Sequence, residues 1–140
     1  MALAGTYYVQ ALHWDSSSMV AGLAPGLFSV AILTVNNLRD RETDVRTGKK
    51  TLAVRLGPTF ARIEYVVALL GAAIAVPVVV CLMRGGHWTS CGAMAVLLFA
   101  LPSVQRVWTS NDGATLNATL ASTGKLLLIF SLLYSAGWMI

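Results

Sequence analysis

The chain has 140 residues, of which 56% are hydrophobic and only 11% charged, and its formal net charge is +4. Soluble domains average about 25% charged residues, so this composition excludes an ordinary water-soluble fold, which would expose much of its apolar surface. Seven of the ten lysines and arginines lie between Leu38 and Ile63 and no nucleic-acid-binding motif is present, so the positive charge belongs to one loop and not to a nucleic-acid surface.

Uncharged runs along the chain predict four transmembrane helices. Three runs have 23, 19 and 21 residues, at 16–38, 65–83 and 85–105, and the last 15 residues form a fourth. A bilayer core needs about 20 apolar residues in a helix. The fourth run reaches this length if its helix begins near Asn117 and Lys125 either snorkels toward the headgroups or faces the bundle interior.

We therefore predict an all-α, polytopic transmembrane bundle, since helices pair their own backbone groups within hydrocarbon. The predicted spans cover about 19–38, 62–83, 88–107 and 118–139. The stretch before Tyr7 has no basic residue and no long apolar run, so it does not resemble a secretory signal. It is typical of the last turn of a helix that starts earlier.

The segment after the first predicted span carries the pattern that points to chemistry. If the helix continues through Asp44, then Asn36, Asp40 and Asp44 recur at every fourth residue on one helical face. Two carboxylates one turn apart repel each other, and more strongly at a membrane boundary, where the dielectric is low. Mg²⁺ would offset this repulsion, because it takes oxygen ligands and is usually held by carboxylates together with substrate phosphates.

Basic residues around this pattern are candidate donors to phosphate oxygens. They are Arg39, Lys49 and Lys50, and Gly48 is predicted to end the helix so that the two lysines turn back over the same face. The spacing alone also fits a solvated basic loop with incidental Asp–Arg pairs. The polar amides at the helix end favour the metal-binding interpretation, since they are costly there unless they are used.

Charge placement predicts the topology. By the positive-inside rule, the basic loop between the first two spans is cytoplasmic. Counting spans, the turn at 84–87 and the C-terminus are then external, so His87 lies away from the aspartates. Cys81 and Cys91 have neither CxxC spacing nor a histidine at zinc spacing, and they are predicted to be buried packing residues. The glycines predicted to allow close helix approach are Gly71, Gly92 and Gly124.

Residues Asn36 to Gly57 read Asn-Asn-x-Arg-Asp-x-x-x-Asp-x-x-x-Gly-Lys-x-Thr-Leu-Ala-Val-x-Leu-Gly. This segment closely resembles the second Asp-rich motif of the UbiA superfamily of membrane prenyltransferases. Its opening and its Gly-Lys-x-Thr-Leu continuation are most similar to the branch that prenylates 1,4-dihydroxy-2-naphthoate in menaquinone biosynthesis. The stretch from Gly5 to Gln10 is similar to the end of that family's fifth helix, so residues 1–140 resemble the C-terminal part of a UbiA domain.

The resemblance implies a nine-helix bundle in which two cytoplasmic Asp-rich motifs face each other across a cavity and hold Mg²⁺ on an isoprenyl diphosphate. A polyprenyl group would be transferred from this diphosphate to the aromatic ring of 1,4-dihydroxy-2-naphthoate. Carried onto this sequence, the catalytic residues would be Asp40 and Asp44, and the metal ligands Asn36, Asp40 and Asp44. The diphosphate would be bound by Arg39, Lys49, Lys50 and Lys125. A snorkelling anchor is an equally good interpretation of Lys125.

The family's first Asp-rich motif, of the Asn-Asp-x-x-Asp type, does not occur in this chain. The resemblance therefore implies about four spans plus the end of a fifth, inactive without an N-terminal half that carries the first motif. Its implied partners are the diphosphate, the aromatic acceptor and the lipid bilayer, and its implied location is a bacterial plasma membrane with the Asp-rich loop in the cytoplasm. Two alternatives stay open: a ubiquinone-, tocopherol- or haem-type acceptor, and a noncatalytic membrane fragment or partner.

Overall fold

The computed structural model describes residues 2–86 and 88–139, so the predicted position of His87 lies outside the described residues. Within these two ranges the chain is helical and contains no strand. The α-helices are α1 Ala2–Ala11, α2 Ser16–Ala21, α3 Leu23–Arg39, α4 Arg41–Arg46, α5 Leu52–Leu70, α6 Val76–Arg84, α7 Val96–Thr109 and α8 Gly113–Met139. A π-helical segment, Gly71–Ala75, joins α5 to α6, and a 3₁₀ helix, Trp88–Ala95, precedes α7.

Four helical runs are long and apolar enough to cross a membrane, which confirms the predicted all-α, multi-pass architecture. These spans are Ser16–Arg39, Leu52–Arg84, Trp88–Thr109 and Gly113–Met139. The first, second and fourth begin earlier than predicted, at 16, 52 and 113. The fourth starts directly after the polar turn at 110–112, because Asp112 caps it by accepting from the Thr115 backbone N–H at 2.9 Å. We refer to the end of the bundle with residues 40–51 and 110–112 as the loop end, and to the opposite end as the far end.

Two irregularities shape the second span. Gly57 has φ 87° and ψ 172° inside α5, so the helix breaks there and resumes at Pro58. Proline suits a first helical turn, because its fixed φ is helical and its missing N–H would be unpaired there anyway. Deeper in the span, Gly71–Ala75 forms a π turn just before Pro77. The wider turn accommodates the proline ring, which would otherwise clash with the carbonyl one turn earlier.

Helix α3 forms the centre of the bundle and packs against both α5 and α8. Its buried face includes Phe28, Ala31 and Val35, and Phe28 packs against Phe130 of α8 with ring centroids 5.3 Å apart. A buried polar contact also crosses the bundle, since the Tyr65 hydroxyl lies 2.9 Å from the Thr123 Oγ1. Thr123 donates to the Thr119 carbonyl at 2.8 Å, so the tyrosine is the donor to Thr123.

Among the glycines of the described residues, Gly137 makes the closest approach to another backbone, where α8 meets the 3₁₀ helix at the far end. A Cβ built on Gly137 would lie 2.5 Å from the Ser90 Cα and 2.7 Å from the Thr89 carbonyl oxygen, so only glycine fits. Of the three glycines predicted to allow close approach, Gly71 meets a Leu27 methyl at 3.1 Å, whereas Gly92 and Gly124 face open space. The prediction is wrong for those two, and the glycine that packs most closely was not among them.

Candidate functional site

The predicted metal-binding residues lie at the junction of α3 and α4 at the loop end. The Asp40 backbone N–H donates to the Asn36 carbonyl at 3.0 Å, and the Asp44 N–H donates to the Asp40 carbonyl at 2.8 Å. The four-residue stacking of these three residues therefore follows the expected helical register. The helix does not run unbroken through Asp44, however, because Asp40 has φ −89° and ψ 4° and separates α3 from α4.

Arg39 forms an ion pair with Asp40, the next residue in the chain and the first aspartate of the pattern. Its Nε donates to the Asp40 Oδ1 at 2.7 Å and its Nη2 donates to the Oδ2 at 2.8 Å, a bidentate ion pair. The same Nη2 also donates to the Asn36 Oδ1 at 2.8 Å. Oxygens of Asn36 and Asp40 thus converge on one cationic nitrogen. These hydrogen bonds from Arg39 hold the pKa of the Asp40 carboxyl below its ordinary value.

A residue of α8 that was not predicted from the sequence completes this cluster. The Arg39 Nη1 donates to the Asn117 Oδ1 at 2.9 Å, across 78 positions of sequence. Asn117 follows the start of α8 by one turn, which brings its amide to the loop end. One feature of the sequence could have pointed to Asn117: it is a polar amide beside an apolar run, and burying such an amide without a hydrogen-bond partner is costly. We call Asn36, Arg39, Asp40 and Asn117 the Arg39 cluster.

The second aspartate has its own cation. Asp44 is buried, with 4% of the residue exposed, and its Oδ1 lies 3.4 Å from the Lys49 Nζ. Gly48 has φ 74° and ends α4, and the Lys49 N–H returns to the Asp44 carbonyl at 2.9 Å. This is the left-handed helix end that was predicted at Gly48. It turns Lys49 back toward Asp44, although the Lys49 side chain is 71% exposed, and Lys50 is exposed as well.

Lys125 lies apart from the Arg39 cluster. It was predicted near the start of the last span, but α8 begins at Gly113, so Lys125 is about 18 Å farther along the helix, near the middle of the span. It is exposed on the same side of α8 as Asn117, eight residues earlier. A charged side chain at the middle of an apolar span faces protein or a water-filled cavity in a folded membrane protein.

The donor set of the Arg39 cluster suits a hard cation. Within residues 2–86 and 88–139, no group of three or more histidine, cysteine, aspartate or glutamate side chains is placed to hold a metal ion. The fit therefore depends on the Asn36 amide oxygen and the Asp40 carboxylate, which already converge on a cation, the Arg39 guanidinium. Oxygen ligands of this kind are those that Mg²⁺ prefers, with phosphates and water filling the rest of its shell.

Cavities lie at both ends of the bundle, and they differ in chemistry. At the loop end a cavity of about 380 Å³ is lined by polar and charged residues, among them Arg39, Arg41 and Asn111. The larger cavity, about 570 Å³, lies at the far end and is mostly apolar, with Tyr134 and Trp138 in its wall. The polar cavity adjoins the predicted site, so it is the one suited to a phosphate-bearing ligand.

Comparison with known proteins gives a consistent set of relatives. The chain matches the sequence profile of the UbiA prenyltransferase family over residues 1–132. It is 37% identical over 132 residues to a 1,4-dihydroxy-2-naphthoate octaprenyltransferase of Mycobacterium tuberculosis, covering 94% of this chain and 44% of that protein. It is 31% identical over 144 residues to the protein of the same name from Haemophilus influenzae, covering 100% of this chain and 45% of the relative.

An animal protein is similar over the same length. UbiA prenyltransferase domain-containing protein 1 of Gallus gallus is 29% identical over 143 residues, covering 100% of this chain and 40% of that protein. The chain thus spans less than half the length of these relatives, and it aligns to the C-terminal half of the octaprenyltransferases. No solved structure matches the chain.

Proposed function

This chain belongs to the UbiA prenyltransferase family, and on that premise we propose that it forms part of a membrane enzyme of menaquinone biosynthesis. The reaction transfers a polyprenyl group from an isoprenyl diphosphate to 1,4-dihydroxy-2-naphthoate. The acceptor is inferred from the relatives whose names contain it. The membrane is a bacterial plasma membrane, and the loop end faces the cytoplasm, because most of the basic residues lie in that loop.

The Arg39 cluster is the observation that carries this proposal. The Asn36 and Asp40 oxygens converge on the Arg39 Nη2, each at 2.8 Å, and so form a pocket for positive charge. In the resting chain the guanidinium occupies that pocket. Asn36, Asp40 and Asp44 would hold Mg²⁺ once the Arg39 guanidinium leaves this pocket, and Arg39 would then turn its donors toward the diphosphate. An arginine fits that role because its planar fork matches phosphate oxygens.

The remaining basic residues complete the diphosphate site. Lys49 leaves its ion pair with Asp44, where its Nζ is 3.4 Å from the Oδ1, and binds phosphate oxygen together with Lys50. Lys125 contacts the substrate from the side of α8. When bound, Mg²⁺ neutralises charge that builds up on the leaving pyrophosphate. The chain's own part is to fix the diphosphate and to exclude water from the allylic cation that forms as the carbon–oxygen bond breaks.

The proposed enzyme needs an N-terminal half that carries the family's first Asp-rich motif. The chain spans 44% of the Mycobacterium tuberculosis relative, so more than half of that protein's length has no counterpart here. Lys125 is exposed near the middle of α8, where contact of its charge with lipid would be costly. This supports the proposal that helices of the N-terminal half cover this side of α8. With one motif the chain contacts the diphosphate from one side only, so it is inactive alone.

Reconstitution tests the reaction. The chain is co-expressed in membranes with the N-terminal half of the Mycobacterium tuberculosis relative, and labelled isoprenyl diphosphate, 1,4-dihydroxy-2-naphthoate and Mg²⁺ are supplied. Labelled product should require both halves. Asp40→Asn should lower product formation more than about 100-fold. Loss of a residue that only hydrogen-bonds to a metal ligand costs about 10–100-fold, and loss of a ligand itself should cost more. Asp112→Asn is the matched control, the same substitution at an exposed acid of the loop end that does not line the polar cavity, and it should leave product formation unchanged, since asparagine also caps a helix.

Metal binding gives a second readout that does not depend on turnover. Mn²⁺ replaces Mg²⁺, and its binding is followed by electron paramagnetic resonance with and without diphosphate. Asp40→Asn should weaken Mn²⁺ binding, whereas Asp112→Asn should not. If labelled product forms only with a different aromatic acceptor, the proposed acceptor, 1,4-dihydroxy-2-naphthoate, is wrong. Unchanged Mn²⁺ binding in Asp40→Asn, together with absence of product from any acceptor, would leave a noncatalytic membrane protein.

A further inference from the structure

We propose that Cys81 and Cys91 form a disulfide bond that joins the second and third spans at the far end. In the structure they are two thiols, and their Sγ atoms lie 3.1 Å apart. Cys81 is buried near the end of α6, and Cys91 is half-buried in the 3₁₀ helix. Two side chains on separate helices already face each other, so a bond between them needs little backbone movement.

The position of the pair decides which compartment it meets. Cys81 lies three residues before Arg84, and Cys91 lies three residues after Trp88, so both are within about one helical turn of the far end. The loop end is proposed to be cytoplasmic, which assigns the far end to the opposite side of the membrane. Disulfides persist there, whereas the cytoplasm keeps thiols reduced. This step rests on the orientation given under the proposed function.

The bond would close a junction on which several elements converge. Arg84, at the end of α6, pairs with Asp15 and donates to the Ser17 Oγ of α2 at 2.6 Å. On the other side, the Thr89 Oγ1 donates to the Gly137 carbonyl of α8 at 2.5 Å. A covalent link between α6 and the 3₁₀ helix therefore fixes α2, α6 and α8 relative to one another. The disulfide acts as a staple for the whole far end.

Formation of the bond requires an oxidant, and we assign this role to a protein or small-molecule disulfide of the extracytoplasmic compartment. The half-buried Cys91 reacts first: its thiolate attacks one sulfur of the oxidant and releases the other as a thiolate. The Cys81 thiolate then attacks the Cys91 Sγ and displaces the remaining oxidant sulfur. Each cysteine loses one proton, two electrons pass to the oxidant, and the oxidant leaves as two thiols.

The test uses the full chain in its native membranes. Unreacted thiols are alkylated before lysis, the protein is digested without reductant, and mass spectrometry identifies the Cys81–Cys91 peptide pair, two hydrogens lighter than the separate peptides. We expect the pair in most molecules, and its loss in Cys81→Ser and in Cys91→Ser. The wild-type chain should also unfold at a higher temperature before reduction than after it, a shift that both serine variants lack.

Two results would contradict the proposed Cys81–Cys91 disulfide. In one, both cysteines are fully alkylated in membranes and stay separate even when oxidised glutathione is added, so the geometry is wrong. In the other, oxidised glutathione forms the bond only in detergent, which means that the far end does not meet an oxidising compartment in the cell. Neither result involves Asp40 or a diphosphate, so the reconstitution of prenyl transfer is judged separately.

Discussion

Each end of the bundle carries an ion pair between an arginine and an aspartate, and the two pairs are built differently. At the loop end Arg39 pairs with its neighbour Asp40, and its bond to a distant helix goes to a neutral amide, that of Asn117. At the far end Arg84 pairs with Asp15, 69 residues away, and so joins α6 to the start of α2. Because Arg84 and Asp15 are far apart in sequence, their ion pair holds two different helices together, whereas the Arg39–Asp40 pair joins neighbours.

The two aspartates also differ in what else they bind. Asp15 caps α2 by accepting from the backbone N–H groups of Ser17 and Ser18, and it accepts a third bond from the Ser17 hydroxyl at 2.5 Å. Its side chain is 19% exposed, against 39% for Asp40, whose carboxylate is held by Arg39. To bind a new cation, Asp15 would have to lose bonds from two backbone N–H groups, a serine hydroxyl and an arginine. Asp40 can bind one as soon as one arginine moves.

The comparison predicts that the far end is the rigid one, and glycine substitutions on α8 test this with the largest expected effect. Gly137→Ala would drive a Cβ to 2.5 Å from the Ser90 Cα, whereas Gly113→Ala at the loop end would meet the Arg39 Cγ at 4.0 Å, an ordinary contact. Overpacking costs about 1–3 kcal/mol. The unfolding midpoint in detergent, followed by circular dichroism, should fall by roughly 3–9 °C in the first variant only.

If the unfolding midpoint falls equally in Gly137→Ala and Gly113→Ala, the far end is not packed more tightly than the loop end. Gly124→Ala serves as a further control, since its Cβ would face open space in the middle of the same helix. There the gain in helix propensity, about 1 kcal/mol, should leave the midpoint unchanged or raise it.

Replacement of each arginine by methionine should have a smaller effect that is again unequal. Arg84→Met removes the bonds to Asp15 and Ser17 and the contact of the guanidinium with the Trp138 ring, 5.6 Å from its centroid. We expect a loss of about 1–2 kcal/mol, because the pair is partly screened by solvent. Arg39→Met should cost under about 0.5 kcal/mol, since Asp40 turns to water.

The same two variants separate stability from ligand binding. Arg39→Met should weaken diphosphate binding in the reconstituted enzyme while its midpoint stays close to that of the wild type. Arg84→Met should lower the midpoint and leave diphosphate binding intact at temperatures where the protein is folded. A reversed pattern would mean that Arg39 is the structural link, and the proposed release of its guanidinium would then fail.

Local patterns predicted the elements of this fold, because the physics that sets them is local. Length and lack of charge defined four spans, and a glycine in a basic loop defined the end of α4 at Gly48. Contacts between distant residues were not predicted, because a sequence pattern does not say which faces meet. The Cys81–Cys91 approach, the Gly137 packing and the Asn117 bond to Arg39 are all of this kind.

The candidate site shows the same division. The four-residue spacing from Asn36 to Asp44 was evident, but Arg39 was predicted as a phosphate ligand and in the structure it grips Asp40. Sequence reasoning assigned each charge to an expected ligand, whereas in the protein alone the charges pair with one another. The depth of Lys125 was also misjudged, because α8 has a polar start and begins five residues before the predicted beginning at 118.

The smallest expected effect concerns acid. Both Asp15 and Asp40 have a pKa below the ordinary carboxyl value, the first chiefly through the Ser17 hydroxyl and the second through Arg39. A carboxyl with a lowered folded-state pKa adds stability above its unfolded pKa of about 3.9, and this stability is lost as the pH falls through the folded value. The unfolding midpoint should therefore decline between about pH 5 and about pH 2.

The two aspartates should contribute unequally to that decline, because Asp15 accepts from serine donors as well as from an arginine whereas Asp40 depends on one guanidinium. Asp15→Asn should therefore remove the larger share of the acid-dependent loss, and Asp40→Asn the smaller. The measurement is the slope of the midpoint against pH for the two variants and the wild type in one detergent. A larger reduction in Asp40→Asn would show that the loop-end pair is the more strongly coupled to folding. Asp40 would then be poorly suited to exchange its arginine for a metal ion, since the exchange would cost the stability that the pair supplies.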